Sequence, residues 1–506
     1  MNNPILRVVA VAASTFCSVV SAQLRLPSVF GDHMVLQRDV STPIWGWATP
    51  GERVIVQINN DTRSASADAE GRWRIDMPAM KAGGPLELTI TSGIDTRTLT
   101  DVLVGEVWLC SGQSNMEWPV NRADNGDAAI TGPHDDQLRL FEVENAHADE
   151  LQDDVKATWR RDESDSVGPF SAVAYFMGQR LRDELDVPVG LIHASYGGSP
   201  AEAWVPWDTL TSNEAISDIA TELERKQKAH EEAMRKWERD SADAKRSGRY
   251  APAKPVAPYS NWEAGYKPTV LWNAMLRPMA PFAVRGAVWY QGESNVGRAE
   301  QYRPLMHALI ADWRDVFENE DMPFGIVQLA NYADPYTNGG SWPELRESQS
   351  MIAAEDPNAG LVVTIDVGNP VDIHPTDKTT VGHRLAQWAL GAVYDHDVAT
   401  NGPTLAEMTI SNPKITLRFD NVAGGLKTSD GKPPRGFAVQ GESGGWMWAE
   451  AEIVSNDTIV VQGRWFPTLK AVHYAWDNNP DWSNLVNSEG LPAEPFRTEG
   501  PAFPGR

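Results

Sequence analysis

The sequence predicts a mixed α/β protein in which a parallel-sheet domain lies between two smaller antiparallel β-domains. Residues from about 24 to 100 form short strand-like runs without a helical period. From Gly105 onward, apolar strands alternate with amphipathic helices, a pattern typical of a parallel sheet that is covered on both faces. From Gly402 the chain returns to short β-type runs rich in Gly, Pro, Asn and Asp.

The length of 506 residues indicates more than one domain. We predict a signal peptide over 1–22, because Arg7 precedes an apolar run and Ala22 ends a small-residue cleavage site. The predicted domains follow: an antiparallel β-sandwich over 23–102, a parallel-sheet α/β domain over 103–402 with a charged helical insertion at about 210–250, and a β-domain over 403–506. We therefore expect a secreted protein, periplasmic or extracellular.

Composition restricts the partners. A formal charge of −25 disfavours nucleic acid and anionic membranes, both of which attract positively charged proteins. After the signal, no stretch approaches the roughly 18 to 20 apolar residues of a membrane span.

Removal of the signal with Cys17 would leave Cys110 as a single, buried thiol and no disulfide. Twenty tryptophans suit a carbohydrate substrate, since aromatic faces stack on sugar rings, although most will pack in the core.

Five strands are predicted in the α/β domain. The first leads into Ser114, and the others are VPVGLIHASYGG, AVRGAVWYQGESN, FGIVQLANY and LVVTIDVG, with helices over 172–185, 299–317, 345–355 and 381–395. Parallel strands present their following loops at one edge of the sheet. Ser114, the glycines at 197 and 198, residues 292–295 and the segment after Asp366 are therefore predicted to share one crevice.

Ser114 is the candidate nucleophile. It follows a buried strand in the stretch GEVWLCSGQSNMEWPV, where a tight turn exposes the hydroxyl to a base and to backbone amides. A serine in this position also commonly caps a turn or a helix. His374 in DIHP is the candidate base, with His383 and His193 weaker candidates, and Asp372 would orient its imidazole. The DIHP turn is also typical of a simple helix cap.

Four short blocks resemble those of the SGNH hydrolases. Gly-Gln-Ser-Asn in GEVWLCSGQSNMEW resembles the first block, HASYGGSPAEAW the second, WYQGESN the third and DIHP the fourth. The flanking strings DHMVLQR, PIWGWATPGE and NLVNSEGLPAEPFRT are similar to the sialate O-acetylesterase branch, so the resemblance covers most of the mature chain. It implies a flavodoxin-like hydrolase domain that cleaves sugar O-acetyl esters through an acetyl-serine, with no metal or organic cofactor.

The resemblance also implies roles for individual residues. Gly198, with Gly197 as the alternative, and Asn295 would join the Ser114 amide in an oxyanion hole. The family spaces the acid as Asp-x-x-His, whereas this chain has Asp-Ile-His. The acid is therefore Asp372, or else Asp366, Glu293 or a backbone carbonyl. The candidate substrate-binding residues are Trp118, Trp204, Gln291 and Glu293, together with Trp289 and Tyr290; core packing explains the aromatic residues equally well.

These observations predict a secreted serine esterase that deacetylates carbohydrate. Two alternatives are a carbohydrate-binding protein without turnover and an esterase for longer acyl chains. The substrate is either a neutral acetylated hemicellulose, such as xylan or xyloglucan, or an O-acetylated sialic acid. A sialic acid carboxylate would need a nearby arginine, for which Arg122 and Arg346 are candidates. The acidic charge and the aromatic content favour the neutral glycan.

Overall fold

The structure is a computed structural model that describes residues 24–333 and 342–499. The predicted signal peptide and Cys17 lie outside these residues. Within the described part, no helix is both long enough and apolar enough to traverse a bilayer.

The N-terminal region is built from short strands with alternating burial. They are β1 (Val35–Gln37), β2 (Thr42–Trp47), β3 (Arg53–Ile58), β4 (Asp61–Ser66), β5 (Arg72–Met77), β6 (Gly83–Ser92) and β7 (Asp95–Gly112). β2 pairs with β5, and β3 pairs with both β4 and β6, in each case antiparallel. Val54, Val56 and Ile58 point inward from β3 while the residues between them are more exposed, as expected for a strand with one face on a core.

The central region alternates strands and helices. Its strands are β8 (Leu138–Glu142), β9 (Trp159–Arg161), β10 (Val189–Ser195), β11 (Gly286–Tyr290), β12 (Phe324–Val327) and β13 (Ala359–Val362). Its helices are α1 (Ser114–Glu117), α2 (Gly126–Thr131), α3 (Ser164–Val167), α4 (Ala172–Leu185), α5 (Trp207–Ser212), α6 (Ser217–Arg246), α7 (Ala299–Val316), α8 (Trp342–Glu355) and α9 (Lys378–Ala392).

The central sheet is mixed. Its order is β13-β12-β11-β7-β10-β8-β9, and all neighbours are parallel except β8 and β9. The five predicted parallel strands are present, with α4 matching the predicted helix residue for residue. β8 and β9 were not predicted, because both are short and lie in a polar connecting region. The mixed α/β class is therefore confirmed, with two additional strands at one edge.

β7 belongs to two regions of the chain. Its first part pairs antiparallel with β6 and parallel with β1. From Glu106 onward it pairs in parallel with β10 on one side and, from Trp108, with β11 on the other. The domain boundary predicted between 102 and 103 therefore falls inside a single continuous strand.

The charged stretch after α5 forms the thirty-residue helix α6. Of its side chains, only Ile219, Ala220, Leu223 and Ala244 are buried. Most of the helix is solvated, which agrees with its alternating charges.

The C-terminal region is again all β. Its strands are β14 (Thr404–Ser411), β15 (Lys414–Asp420), β16 (Leu426–Thr428), β17 (Phe437–Gly441), β18 (Trp446–Trp448), β19 (Glu450–Ile453), β20 (Thr458–Gln462), β21 (Leu469–Tyr474), β22 (Leu485–Asn487) and β23 (Phe496–Arg497). They form two four-stranded sheets, β14-β15-β20-β19 and β18-β17-β21-β23, and the pair β16-β22.

A buried carboxylate lies where β7 passes between the two regions. Glu106 is fully buried and forms ion pairs with Arg38 and Arg285; Arg285 Nε donates to it at 2.7 Å. Tyr394 and Gln37 also donate to Glu106, at 3.0 and 3.2 Å. Because Arg38 directly follows β1 and Arg285 directly precedes β11, this cluster ties the N-terminal strands to the central sheet.

Glu106→Gln should lower the free energy of unfolding by about 2–4 kcal/mol, because it leaves two guanidinium groups without their buried anion. The partial exposure of both arginines places the loss below that of a fully buried pair. Chemical denaturation measures it. The control is Glu407→Gln, which removes the exposed partner of Arg418 and should cost less than about 1 kcal/mol. Equal losses in the two variants would contradict the prediction.

Candidate active site

Ser114 lies where β7 leaves the sheet. Gly112 has a φ of +144°, and a side chain there would collide with the Tyr290 carbonyl, so only glycine fits this position. The Gln113 N–H donates to the same Tyr290 carbonyl at 3.0 Å, and Ser114 then opens α1. The strand thus ends abruptly and leaves the Ser114 side chain half-buried beside the carboxyl ends of β10 and β11.

The structure brings His374 directly to Ser114. The His374 Nε2 and the Ser114 Oγ are 2.8 Å apart, a hydrogen-bond distance across 260 residues of sequence. Trp118 stacks on the imidazole, with ring centres 5.4 Å apart. Burial, followed by the positive charge of Lys378, lowers the pKa of His374 below its ordinary 6.5. The imidazole is therefore neutral at pH 7, the form that accepts a proton.

Asp372 lies next to His374 but does not form a hydrogen bond to its ring. Its Oδ1 is 3.7 Å from the His374 Nδ1, which is too long for a hydrogen bond, and the same oxygen accepts from the His374 backbone N–H at 2.9 Å. Asp366 is instead paired with Arg384, and Glu293 with Asn115. Among the described residues, Asp372 is the carboxylate in ion-pair range of His374.

The glycines after β10 line the site. A Cβ on Gly197 would lie 3.7 Å from the Ser114 Cβ, which places this residue beside the nucleophile. Gly198 has a φ of +74° and lies against the Tyr266 hydroxyl. Neither amide N–H donates a hydrogen bond within the described residues, so both are available to a developing oxyanion.

Asn295 is held rigidly in the third block. Its Oδ1 accepts from the Ala201 N–H at 3.0 Å and from Gln291 at 2.7 Å, which fixes the amide orientation. Its Nδ2 donates to Glu202 at 3.0 Å. An amide nitrogen carries two hydrogens, and the second one has no acceptor among the described residues.

Four of the predicted substrate contacts need correction. Trp204 and Gln291 are fully buried, and so are Trp289 and Tyr290. Trp204 packs edge-on against Trp289 in the core, with ring centres 6.0 Å apart. Core packing, the alternative left open from the sequence for the aromatic residues, accounts for the three aromatic side chains. Gln291 instead donates to the Ser199 carbonyl at 3.2 Å and to Asn295 at 2.7 Å. Trp118 is partly exposed at the site, and the Arg122 guanidinium lies 4.0 Å above its ring.

The remaining basic candidates lie elsewhere. His193 is buried between Glu142 and Ser195, at 2.7 and 2.6 Å. His383 lies on α9 against Phe176. Arg346 is fully buried and donates to four backbone carbonyl groups, so it does not present a guanidinium to a substrate; those groups belong to Leu329, Ala330, Asp477 and Asn478.

A buried polar network behind the serine was not predicted. The Asn115 Nδ2 donates to Glu293 at 2.6 Å and to the Ile373 carbonyl at 3.0 Å, while its Oδ1 accepts from Lys378 at 2.6 Å. Burial lowers the pKa of Lys378 to about 7 and raises that of Glu293. Asn115 therefore connects the nucleophile turn with the peptide group just before His374. The position of Asn115 directly after Ser114 was the one sequence feature that could have pointed to this network. Nothing in the sequence around Lys378 indicated its part in it.

Comparisons with known proteins show which family the chain belongs to. The family model described as carbohydrate esterase, sialic acid-specific acetylesterase, matches residues 104–243 and 254–391, more than half of the chain. The chain belongs to this family of carbohydrate esterases. The mouse sialate O-acetylesterase is 30% identical over 517 residues, covering 93% of this chain and 94% of the relative. The rat sialate O-acetylesterase is 29% identical, with the same coverage.

A solved structure extends the similarity to the fold. A carbohydrate acetylesterase from Xanthomonas citri superposes with a TM-score of 0.80 at 33% sequence identity, covering 94% of this chain and 99% of that chain. Family, relatives and structure together identify the chain as a carbohydrate O-acetylesterase, a carboxylic ester hydrolase whose substrate is a carbohydrate.

Within residues 24–333 and 342–499, no group of three or more His, Cys, Asp or Glu side chains is arranged to hold a metal ion. Cys110, the cysteine within the described residues, is buried, and burial raises the pKa of its thiol well above the ordinary value. The nucleophile, the base and the candidate oxyanion donors all come from loops at one edge of the sheet.

The pH dependence of kcat/KM should have an acid limb below pH 6.5, because the base must be neutral and the pKa of His374 is lowered. Arg122 contributes to this lowering, so Arg122→Gln should raise the pKa and move the limb upward by about 0.2–0.5 pH units. pH–rate profiles measure the shift. Arg63→Gln, an exposed substitution on β4, is the control; a limb that stays in place or moves down contradicts the prediction.

Asn115→Ala should lower kcat by about 10- to 100-fold with a smaller change in KM, because the Ile373 carbonyl loses its anchor and His374 is no longer held against Ser114. Steady-state kinetics on a simple acetyl ester measure both constants. Asn121→Ala, at an exposed asparagine nearby, should leave them unchanged. A change confined to KM would show that Asn115 contributes to binding rather than to positioning.

Proposed function

We propose that this protein is a secreted serine esterase of the SGNH type that removes O-acetyl groups from carbohydrate through an acetyl-serine intermediate. The observation that carries the proposal is the 2.8 Å contact between the His374 Nε2 and the Ser114 Oγ. A neutral imidazole at this distance can accept the serine proton as the oxygen attacks. The proposed substrates are an acetylated hemicellulose, such as xylan or xyloglucan, or an O-acetylated sialic acid.

In the first half-reaction the Ser114 Oγ bonds to the acetyl carbonyl carbon while His374 Nε2 takes its proton. The carbonyl oxygen becomes an oxyanion, which the N–H groups of Ser114 and Gly198, with Gly197 as the alternative, and the second amide hydrogen of Asn295 would stabilise. The tetrahedral intermediate collapses as His374 returns the proton to the sugar oxygen, and the ester bond to the sugar breaks.

Water completes the second half-reaction. His374 takes a proton from water, whose oxygen attacks the acetyl-serine carbonyl, and returns it to the Ser114 Oγ as acetate leaves. Asp372 would stabilise the imidazolium by its charge, since at 3.7 Å it does not hydrogen-bond to the ring. A long-range carboxylate suffices for a base whose orientation is also fixed by stacking on Trp118.

The surroundings of Ser114 favour a small acyl group on a polar alcohol. Glu117, Arg122 and Asp372 all approach the nucleophile or the base, and each has at least part of its side chain in solvent. An esterase for long acyl chains would need a deep apolar channel, whereas charged side chains approach the nucleophile here. A binding protein without turnover would have no need of the contact between His374 and Ser114.

Ser114→Ala should abolish acetate release, with residual activity below about 0.1% of the parent, while the far-ultraviolet spectrum and the melting temperature stay close to those of the parent. Acetate release from a simple acetyl ester, followed by mass spectrometry of the trapped acetyl-serine, measures the role of the hydroxyl. The control is Cys110→Ala, which removes the nearby buried thiol and should keep turnover. An active Ser114→Ala enzyme would overturn the proposal.

A further inference from the structure

Three aromatic side chains, Tyr196, Tyr266 and Trp262, form a row from the loop after β10, here called the oxyanion loop, to the protein surface. We call this row the aromatic wall. A short 3₁₀ segment, Asn261–Tyr266, packs against the loop that follows β10. The contact is close in two places: Gly265 lies directly on the Tyr196 ring, and Gly198 lies directly on the Tyr266 hydroxyl. A side chain at either glycine would collide with its aromatic partner. The two segments therefore form one surface.

This wall begins at the nucleophile. Gly197, between Tyr196 and Gly198, is the residue whose Cβ position lies 3.7 Å from the Ser114 Cβ. From Tyr196 the ring of Tyr266 is 6.5 Å away, and Trp262 lies a further 5.6 Å from Tyr266, each in an edge-to-face arrangement. Trp262 is 70% exposed. A large indole left in solvent beside an active site costs free energy that a ligand can recover by covering it.

The geometry points to a sugar-binding subsite. We propose that Trp262 and Tyr266 hold a neutral pyranose residue of an acetylated glycan, so that its acetyl group reaches Ser114. The proposal rests on the proposed function, because it takes Ser114 as the nucleophile. Aromatic faces pack against the apolar C–H faces of sugar rings, and a phenol hydroxyl at the inner end can hydrogen-bond to a ring substituent.

The polar groups around the wall fit a neutral sugar. The Glu117 Oε1 accepts from Asn145 at 2.6 Å, and its Oε2 lies beside Gly197, so a carboxylate faces the space between the wall and the nucleophile. Burial, and then the charges of Glu117 and Glu263 among its neighbours, raises the pKa of Tyr266, which keeps its hydroxyl protonated as a donor.

The lysine that follows the wall in the sequence is neutralised. Lys267 follows Tyr266 and forms an ion pair with Asp149 at 2.5 Å. Arg122, which could attract a sugar carboxylate, stacks on Trp118 beside His374 and belongs to a different wall of the site. The carboxylates of Glu117 and Glu263 beside the aromatic wall repel an anionic sugar such as sialic acid and do not repel a neutral one.

The test compares two substrates of different size on the same variants. Trp262→Ala should lower kcat/KM for acetylated xylan fragments by about five- to tenfold, mainly through KM, and for p-nitrophenyl acetate by less than about twofold. Tyr266→Phe, which keeps the ring, should lose less than Trp262→Ala on the fragments. Trp465→Ala is the matched control, since Trp465 is 72% exposed and lies in the C-terminal β-domain; it should change neither value.

The other outcomes overturn the proposal. An equal loss on both substrates would show that Trp262 supports the fold rather than the sugar. A selective loss on O-acetylated sialic acid, with none on xylan fragments, would contradict the neutral substrate class. If Ser114→Ala is inactive and Trp262→Ala matches the parent on xylan fragments, the subsite is wrong and the proposed function stands. An active Ser114→Ala enzyme removes the proposed function itself.

Discussion

One continuous strand fixes the position of the nucleophile. Residues 102–112 of β7 are buried, and the strand pairs with β6 and β1 before it pairs with β10 and β11. Such a strand cannot slide by one residue without turning its buried side chains to the wrong face. The Glu106 cluster adds a charged anchor at the crossing point. Ser114 therefore has a position determined by both regions, and the other groups of the site must come to it.

His374, the proposed base, lies on a loop, so contacts with the rest of the protein must hold it in position. His374 follows β13 and precedes α9, whose first turn is capped by Asp377. The buried Lys378, in the same turn, donates to Asn115, and Asn115 donates to the carbonyl preceding His374. Burying Lys378 and Glu293 costs solvation, and a simpler apolar contact would be at least as stabilising. The network is better understood as a geometric link that holds the base at hydrogen-bonding distance from the nucleophile.

Local patterns predicted the frame of the site but not its support. The apolar strands and the helix over 172–185 carry strong periodicity, so the loops holding Ser114, Gly198, Asn295 and His374 could be placed at one edge of the sheet. Burial was harder to predict, because the local sequence around a tryptophan such as Trp204 is the same whether the side chain lies in the core or in a crevice. The burial of Lys378 could not be predicted from the sequence, since nothing local distinguishes a buried lysine from a solvated one. Long-range packing decides both.

The charges around the site are divided between its two sides. Lys378 and Arg122 lie on the side of His374, where burial first, and then these two charges, lower the pKa of the imidazole and keep it neutral near pH 7. Glu117 lies beside Gly197, on the side where the oxyanion loop meets the aromatic wall. A carboxylate there cannot stabilise an oxyanion, which agrees with the proposal that backbone and amide N–H groups are the donors. In the proposed subsite, the Glu117 charge would select against a negatively charged substrate, while stacking on Trp262 and Tyr266 would provide the affinity.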